Sequence, residues 1–213
     1  MPRSSPGLRP ATADDVTALL VLMDSVHAWL IARGRPEQWG TVPFSHIPGF
    51  PGRVADWARR NVVTMAERDG RCVGMLAAAL TVPPRIPAGT VPDGSMFIHT
   101  VMTDRGPGGR GAGAALLKEA ERLARSHGAP ALALDHWAGS PELNRLYDEH
   151  GYVKVTEYTD EQAGEPIRNT VRVRPLRAPD RTAQNEEPTQ APASPGLALR
   201  SFPHRRFSYG DPP

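Results

Sequence analysis

The feature that most constrains this chain is the run Arg105-Gly106-Pro107-Gly108-Gly109-Arg110-Gly111-Ala112-Gly113. It follows a segment that reads as a strand, Ser95 to Thr103, with Phe97, Ile98, Val101 and Met102. It leads into a segment that reads as a helix over about 113–127, with Leu116, Leu117, Ala120, Leu123 and Ala124 at helical spacing. Glycine lets the backbone approach a ligand closely and adopt positive φ. The helix N-terminus behind it offers unpaired N–H groups and a partial positive charge. Together they form an anion site suited to a diphosphate, to which Arg105 and Arg110 can add charge-assisted contacts. A P-loop would need Gly-Lys followed by Ser or Thr, which does not occur. A dinucleotide loop of the form Gly-x-Gly-x-x-Gly fits Gly106 to Gly111, with Asp135 about 24 residues further on, so spacing alone leaves that reading open. The position of the loop after several strands argues against it, because a dinucleotide fold usually opens with the motif.

The rest of the chain supplies the elements such a loop would join. Leu8 to Pro10 reads as a first strand, and Thr12 to Asp15 resembles a capping box with Asp in place of Glu. Val16, Leu19, Leu20, Met23, Val26, Leu30 and Ile31 then recur at helical spacing, with Gly34 as the stop. Residues 35–51 form a Pro-rich loop bearing Trp39, Phe44 and Phe50, and a second helix is expected near 52–60. Val62 to Glu67 and Cys72 to Val82 read as a hairpin about Asp69-Gly70, the second strand apolar enough to be buried on both faces. After the Gly-rich loop and its helix, Ala131 to Asp135 reads as a strand. Ser140-Pro141 opens a helix running to about His150, and Tyr152–Tyr158 and Ile167–Val173 form a final antiparallel pair. The order predicts an α/β (α+β) fold: a central mixed, mostly antiparallel sheet of about six to seven strands, with helices on both faces. Residues 1–176 are read as this domain. Residues 177–213, rich in Pro and Arg and poor in large apolar side chains, are read as a tail expected to be disordered.

Composition narrows the function. The formal net charge of +2 does not call for a nucleic-acid partner. The single cysteine, Cys72, excludes a disulfide framework and a multi-thiolate zinc site, so no metal is expected. The N-terminus lacks the apolar stretch of a signal peptide, and no run approaches the ~20 apolar residues of a membrane span, so a soluble, cytoplasmic protein without a membrane partner is expected.

Three stretches then carry a resemblance: "MFIHTVMT", "GGRGAGAALLKEAERLA" and "LALDHWAGSPELNRLYDEHGYV". Segment 95–158 resembles the core of the GNAT N-acetyltransferase family, and the element order agrees over about 7–176. The resemblance implies acetyl-CoA as cosubstrate. The family's Gln/Arg-x-x-Gly-x-Gly/Ala pyrophosphate motif falls on Gly108, Gly109, Arg110, Gly111, Ala112 and Gly113, with Ala114 following, although Gly108 departs from Gln or Arg. The strand that supplies backbone N–H groups to the thioester and pantetheine maps to Val101, Met102 and Thr103. Tyr147 falls where the family often places its general acid. The family's cofactor-contacting Asn maps to Ser140, while Asn144 shares the helix face of Tyr147.

The implied reaction is acetylation of a small-molecule primary amine by direct attack on the thioester. A dedicated base is not evident. His99 is the first candidate, with Glu37 and Asp135 behind it, and strand alternation puts His99 on one face with Phe97 and Val101. Arg35-Pro36-Glu37-Gln38-Trp39-Gly40 resembles a Gln-Trp element of some small-molecule members, which makes Glu37, Trp39 and Trp137 candidate acceptor contacts. Core packing is the competing role for both tryptophans. Two alternatives remain: an acyl-CoA-binding module without turnover, and an acetyltransferase of protein lysines or N-termini. A homodimer is compatible with all three readings.

Overall fold

A computed structural model describes residues 5–60, 62–162 and 165–176. The strands are β1 (Gly7–Pro10), β2 (Val63–Arg68), β3 (Arg71–Ala79), β4 (Met96–Thr103), β5 (Ala131–Trp137), β6 (Val153–Gln162) and β7 (Glu165–Pro175). The helices are α1 (Val16–Ile31), α2 (Phe50–Arg59), α3 (Ala112–Ser126) and α4 (Pro141–Glu149). The expected tail, 177–213, lies outside the described residues.

The strands form one seven-stranded sheet in the order β1-β2-β3-β4-β5-β7-β6. Every neighbouring pair is antiparallel except β4 and β5. This is the mixed, mostly antiparallel sheet that the element order predicts. The β2–β3 hairpin turns where expected, with Asp69 at φ 52° and Gly70 at φ 70°, the doubly left-handed geometry of a tight hairpin.

Three apolar clusters hold the layers. On one face α3 lays Leu116, Leu117, Ala120 and Ala124 against Leu76, Ile98, Leu132 and Leu134, and Tyr147 and Tyr152 close the cluster. On the other face α1 and α2 bury Leu19, Met23, Val26 and Val54 against Met65, Met75, Ala77 and Met102. A third cluster joins Ile86, from the loop after β3, to Phe97, Ala133 and Val171. The inner face of α1 differs from the expected one. Leu22 and His27 are buried, and Ile31 is exposed. His27 is held inside by a 3.0 Å hydrogen bond with the Gly40 carbonyl, which anchors the loop after α1. Among the described residues no helix is long and apolar enough to cross a membrane.

Candidate active site

The Gly-rich segment is a built cradle rather than a slack turn. Asp104 ties down its start: its N–H donates to the Val73 carbonyl at 3.0 Å, and its carboxylate accepts from the Gly106 N–H at 2.9 Å. A short 3-10 turn, Pro107–Gly109, follows. A Cβ on Gly109 would lie 1.9 Å from the Asp104 carbonyl oxygen, so only glycine fits there. A Cβ on Gly108 would start 3.0 Å from the Asp104 carboxylate. The small residue at 108, where the family motif has Gln or Arg, is thus packed against the group that organises the loop. Arg68, at the end of β2, donates to the carbonyls of Gly108 and, at 3.2 Å, Arg110. Gly111 takes φ +81° as the residue before α3, and the first helical bond runs from the Ala115 N–H to the Gly111 carbonyl at 3.1 Å. The N–H groups of Ala112, Gly113 and Ala114 are therefore first-turn donors without an acceptor in their own helix. Gly113 faces β4, where a Cβ would lie in ordinary contact, 3.8 Å from Thr103 Cγ2. Arg110 is exposed beside this array.

Beside the cradle the sheet opens. β4 and β5 pair only from Met96/Leu132 to Ile98/Leu134. Beyond that, β4 continues along β3 to Thr103 and β5 continues along β7 to Trp137. The strands part like a V, and the β5-facing backbone of residues 99–103 is left open to a ligand. A β-bulge marks the same point: Ala77 and Ala78 of β3 face Thr100 and Ile98, so His99 has no opposite residue. This corrects one expectation. His99 does share a face with Phe97, whose ring centroid lies 5.3 Å away, but Val101 packs on the α3 side. The extra residue of the bulge resets the alternation. Met102 returns to the α1 side, 5% exposed.

On the α3 side of the V, α4 presents Tyr147. Ser140 caps the helix, its Oγ accepting from the Leu143 N–H at 3.3 Å and donating to Glu142 at 3.1 Å. Ser140 is buried, so its hydroxyl serves the cap. Tyr147 is packed between His136 and Tyr152, with ring centroids at 5.2 and 5.7 Å. Burial, with Asp135 adding to it, pushes its phenol up to about 12. Among the described residues no hydrogen bond engages its Oη. Beneath α4 lies Arg172, 3% exposed. It donates to His136 Nε2 and Asn144 Oδ1 at 3.0 Å, to the Tyr152 carbonyl at 3.0 Å and to Asp148 at 2.5 Å. Asn144 thus shares the inner face as expected, but its oxygen is taken by Arg172. His136 is fixed as one neutral tautomer, because its Nδ1 donates to the Trp137 carbonyl at 2.9 Å while Nε2 accepts.

On the α1 side, His99 and Asp135 are the first residues beyond the last β4–β5 pair, and both face the opening. His99 packs on Trp57 at 6.3 Å as well as on Phe97. Burial, reinforced by Arg85, lowers its imidazole to about 4, so it is neutral at neutral pH. Asp135 is held by Arg85 at 2.9 and 3.2 Å and by Tyr158 at 2.5 Å.

Neither of the two tryptophans expected to wall an acceptor pocket makes a ring contact with His99 among the described residues. Trp39 packs on Phe44 at 5.4 Å, within the α1–α2 cluster. The Trp137 indole lies under Gly139, whose Cβ would fall 2.4 Å from it. Trp57, which the sequence places on a helix without a marked role, is the tryptophan that reaches His99. The side chain of Glu37 lies outside the described residues. At the mouth, Arg33 and Arg105 both lie over the Trp29 ring, at 3.9 and 4.7 Å, and Arg35 pairs with Glu142 at 3.1 Å. A shallow concavity of about 230 Å³ lies elsewhere, at the β1–β2 edge among Leu8, Arg9, Glu67 and Asp69, and gathers no comparable groups. Among the described residues no three His, Cys, Asp or Glu side chains converge as metal ligands.

Sequence reasoning missed Arg68, Arg85, Tyr158 and Arg172. Each acts across a long stretch of chain, and an arginine in a turn or strand carries no local mark of a distant partner.

The family model described as the acetyltransferase (GNAT) family matches residues 24–152. Solved structures with the same fold include the ribosomal-protein-alanine N-acetyltransferase from Brucella melitensis, at TM-score 0.60 and 22% identity, covering 80% of this chain and 99% of that one. The PaiA N-acetyltransferase from Thermoplasma acidophilum, in complex with coenzyme A, aligns at TM-score 0.58 and 12% identity over 81% of this chain and 100% of its own. YncA from Salmonella typhimurium, solved with its cofactor acetyl-CoA, aligns at TM-score 0.57 and 18% identity over 84% and 99%. No curated protein matches the sequence. With more than half of its length matched by the family model and the same fold in these structures, the chain belongs to the GNAT acetyltransferase family.

Proposed function

We propose that the protein transfers the acetyl group of acetyl-CoA to the primary amine of a small-molecule acceptor. One observation carries the reading: β4 and β5 part beside the α3 cradle, with Tyr147 on one face of the gap and His99 on the other. The pyrophosphate is received by the free N–H groups at the start of α3, with Arg110 and Arg105 adding charge. The pantetheine arm runs along the open edge of Val101, Met102 and Thr103, where the Val101 and Thr103 N–H groups face the gap and polarise the thioester carbonyl, while Met102 points its N–H to β3. The amine enters from the His99 side and its nitrogen attacks the carbonyl carbon. The surplus proton passes to the neutral His99 imidazole or to water. The C–S bond breaks and the leaving thiolate takes the phenolic proton of Tyr147. Burial raises the basicity of a thiolate as it raises that of a phenolate, so the two groups remain matched inside the gap.

The aromatic series Phe50, Trp57 and His99, with successive centroids 6.5 and 6.3 Å apart, offers an apolar wall on the acceptor side and supports a small acceptor body. The test is calorimetric titration with acetyl-CoA, followed by thiol release over a panel of amines, amino acids and aminoglycosides and over lysine and N-terminal peptides. Absence of acetyl-CoA binding overturns the reading. Release with peptides alone transfers the acceptor to proteins, and binding without release in either panel makes the protein a binding module.

A further inference from the structure

Arg85 occupies a position that acetyl transfer itself does not require. It lies in the loop between β3 and β4, and that loop is pinned from both sides. Pro83 and Ile86 are buried, Ile86 packs against Phe97 and Ala133, and the Ile86 N–H donates to the Pro83 carbonyl at 3.0 Å. The guanidinium is fixed along one edge. Its Nε donates to Asp135 Oδ2 and to Tyr158 Oη at 3.2 Å each, and its Nη2 donates to Asp135 Oδ1 at 2.9 Å. Its Nη1 has no partner among the described residues, and the side chain is 39% exposed. Asp135 stands in the opposite condition. Both of its oxygens accept from Arg85, Oδ2 also accepts from Tyr158, and its side chain is 10% exposed. The cluster therefore has no net charge. Its carboxylate is occupied, and its outward donors belong to a cation. It sits on the face of His99, at the point where β4 and β5 part.

A site built to hold a second ammonium would leave the carboxylate free and keep cations away. Here the arrangement is reversed. We propose that Arg85, positioned by Asp135 and Tyr158, binds the carboxylate of the acceptor, so that the acceptor is an amino-acid-type molecule carrying both the reacting amine and a carboxylate. This rests on the acetyl-transfer reading above and deepens it. The exposed Nη1 edge of a held guanidinium suits a carboxylate oxygen and gains a charge-assisted hydrogen bond. Trp57, 6.3 Å from His99, offers an aromatic surface for an apolar side chain of that acceptor. Polyamines, which bring further positive charge toward Arg85, are selected against.

The experiment compares matched acceptors: phenylalanine, phenylalaninamide and phenethylamine, and the same series from leucine. With the unsubstituted enzyme, kcat/KM by thiol release is expected to be at least tenfold higher for the free acids than for the amides or amines. In Arg85→Gln that ratio should fall at least tenfold, through KM, and Arg85→Lys, which keeps the charge but loses the fork, should fall between. Equal use of acids, amides and amines by the unsubstituted enzyme overturns the proposal, as does an unchanged ratio in a folded Arg85→Gln. If Arg85→Gln does not fold, the unsubstituted ratio and Arg85→Lys decide. The same compounds are also titrated calorimetrically into CoA-saturated protein, which needs no turnover. Heat with the acids alone, without thiol release, retires acetyl transfer and keeps the carboxylate site. Release with amines and amides as readily as with acids keeps acetyl transfer and retires the carboxylate site.

Discussion

Replacing Gly109 by Ala tests whether the cradle is a rigid device. The added methyl would sit 1.9 Å from the Asp104 carbonyl oxygen, 2.8 Å from its carbon and 3.1 Å from its Cα. All three are backbone atoms, so no side chain can rotate away. Ordinary contact between such atoms lies at roughly 3.5 Å, so the loop must move by on the order of 1 Å or more. The cost to folding is about 1–3 kcal/mol, as for other overpacked sites. The cost to binding follows from displaced donors. Hydrogen bonds to a charged group contribute about 1.5–3 kcal/mol each, so losing one or two of those aimed at a pyrophosphate removes about 3 kcal/mol, or roughly 100-fold in affinity for acetyl-CoA. Gly111→Ala is the matched control. Its Cβ meets nothing within 4 Å, so only the strain at φ +81° is added, about 1–2 kcal/mol of stability with a loss of affinity below roughly tenfold. Gly128→Ala, at φ +66° and equally uncrowded at the far end of α3, should cost stability and leave affinity alone. Calorimetric titration with acetyl-CoA gives the affinities, and thermal unfolding of the free protein gives the stabilities. Binding by a folded Gly109→Ala within about threefold of the unsubstituted protein would refute the reasoning.

The other expectations concern the chemistry and its supports. Tyr147→Phe should lower turnover by about 10²–10⁴-fold with acetyl-CoA affinity within about twofold, read by thiol release and calorimetry, and unchanged turnover removes the acid role. Arg172→Met should destabilise the fold by about 2–4 kcal/mol in denaturant titration, because the Tyr152 carbonyl, Asn144 and His136 lose their donor. Asp148, with 63% of its side chain exposed, is rehydrated and adds little. For pH, burial and then Arg85 keep His99 neutral down to about 4 in the folded protein, whereas it takes a proton near 6.5 when unfolded. The unfolded chain thus binds more protons between those values, so stability falls as pH drops from about 6.5 to about 4, by about 3 kcal/mol at most from this residue. A His99→Asn variant should show a shallower fall over that window in chemical denaturation, and a fall of equal steepness would remove His99 as its source.

The cradle was legible because its requirements are local. Glycines that permit close approach and positive φ, placed before a helix with an apolar stripe, predict a loop and a free N-terminus from adjacent residues. The capping box of Thr12 and Asp15, the cap at Ser140 and the inward turn of Tyr147 are of the same kind. The gap between β4 and β5 was not legible, since the bulge at His99 carries no Gly or Pro to mark it, and its one extra residue is enough to send Val101 to the opposite face from the one alternation predicts. Arg172 illustrates a further obstacle. In the run Thr170-Val171-Arg172-Val173-Arg174 the alternation reads as an apolar face and a solvated face, and Val171 and Val173 are indeed core. Arg172 is buried only because α4 lies across it and supplies Asn144 and Asp148. The burial of a charge depends on what arrives from elsewhere in the chain, and the partner of Arg85 is likewise 50 residues away. The same long-range contacts separate the two faces of the gap. Arg172 fixes the helix that carries Tyr147, while Asp135 fixes Arg85 beside His99, so a lesion at either should impair one side of the reaction while the other keeps its geometry.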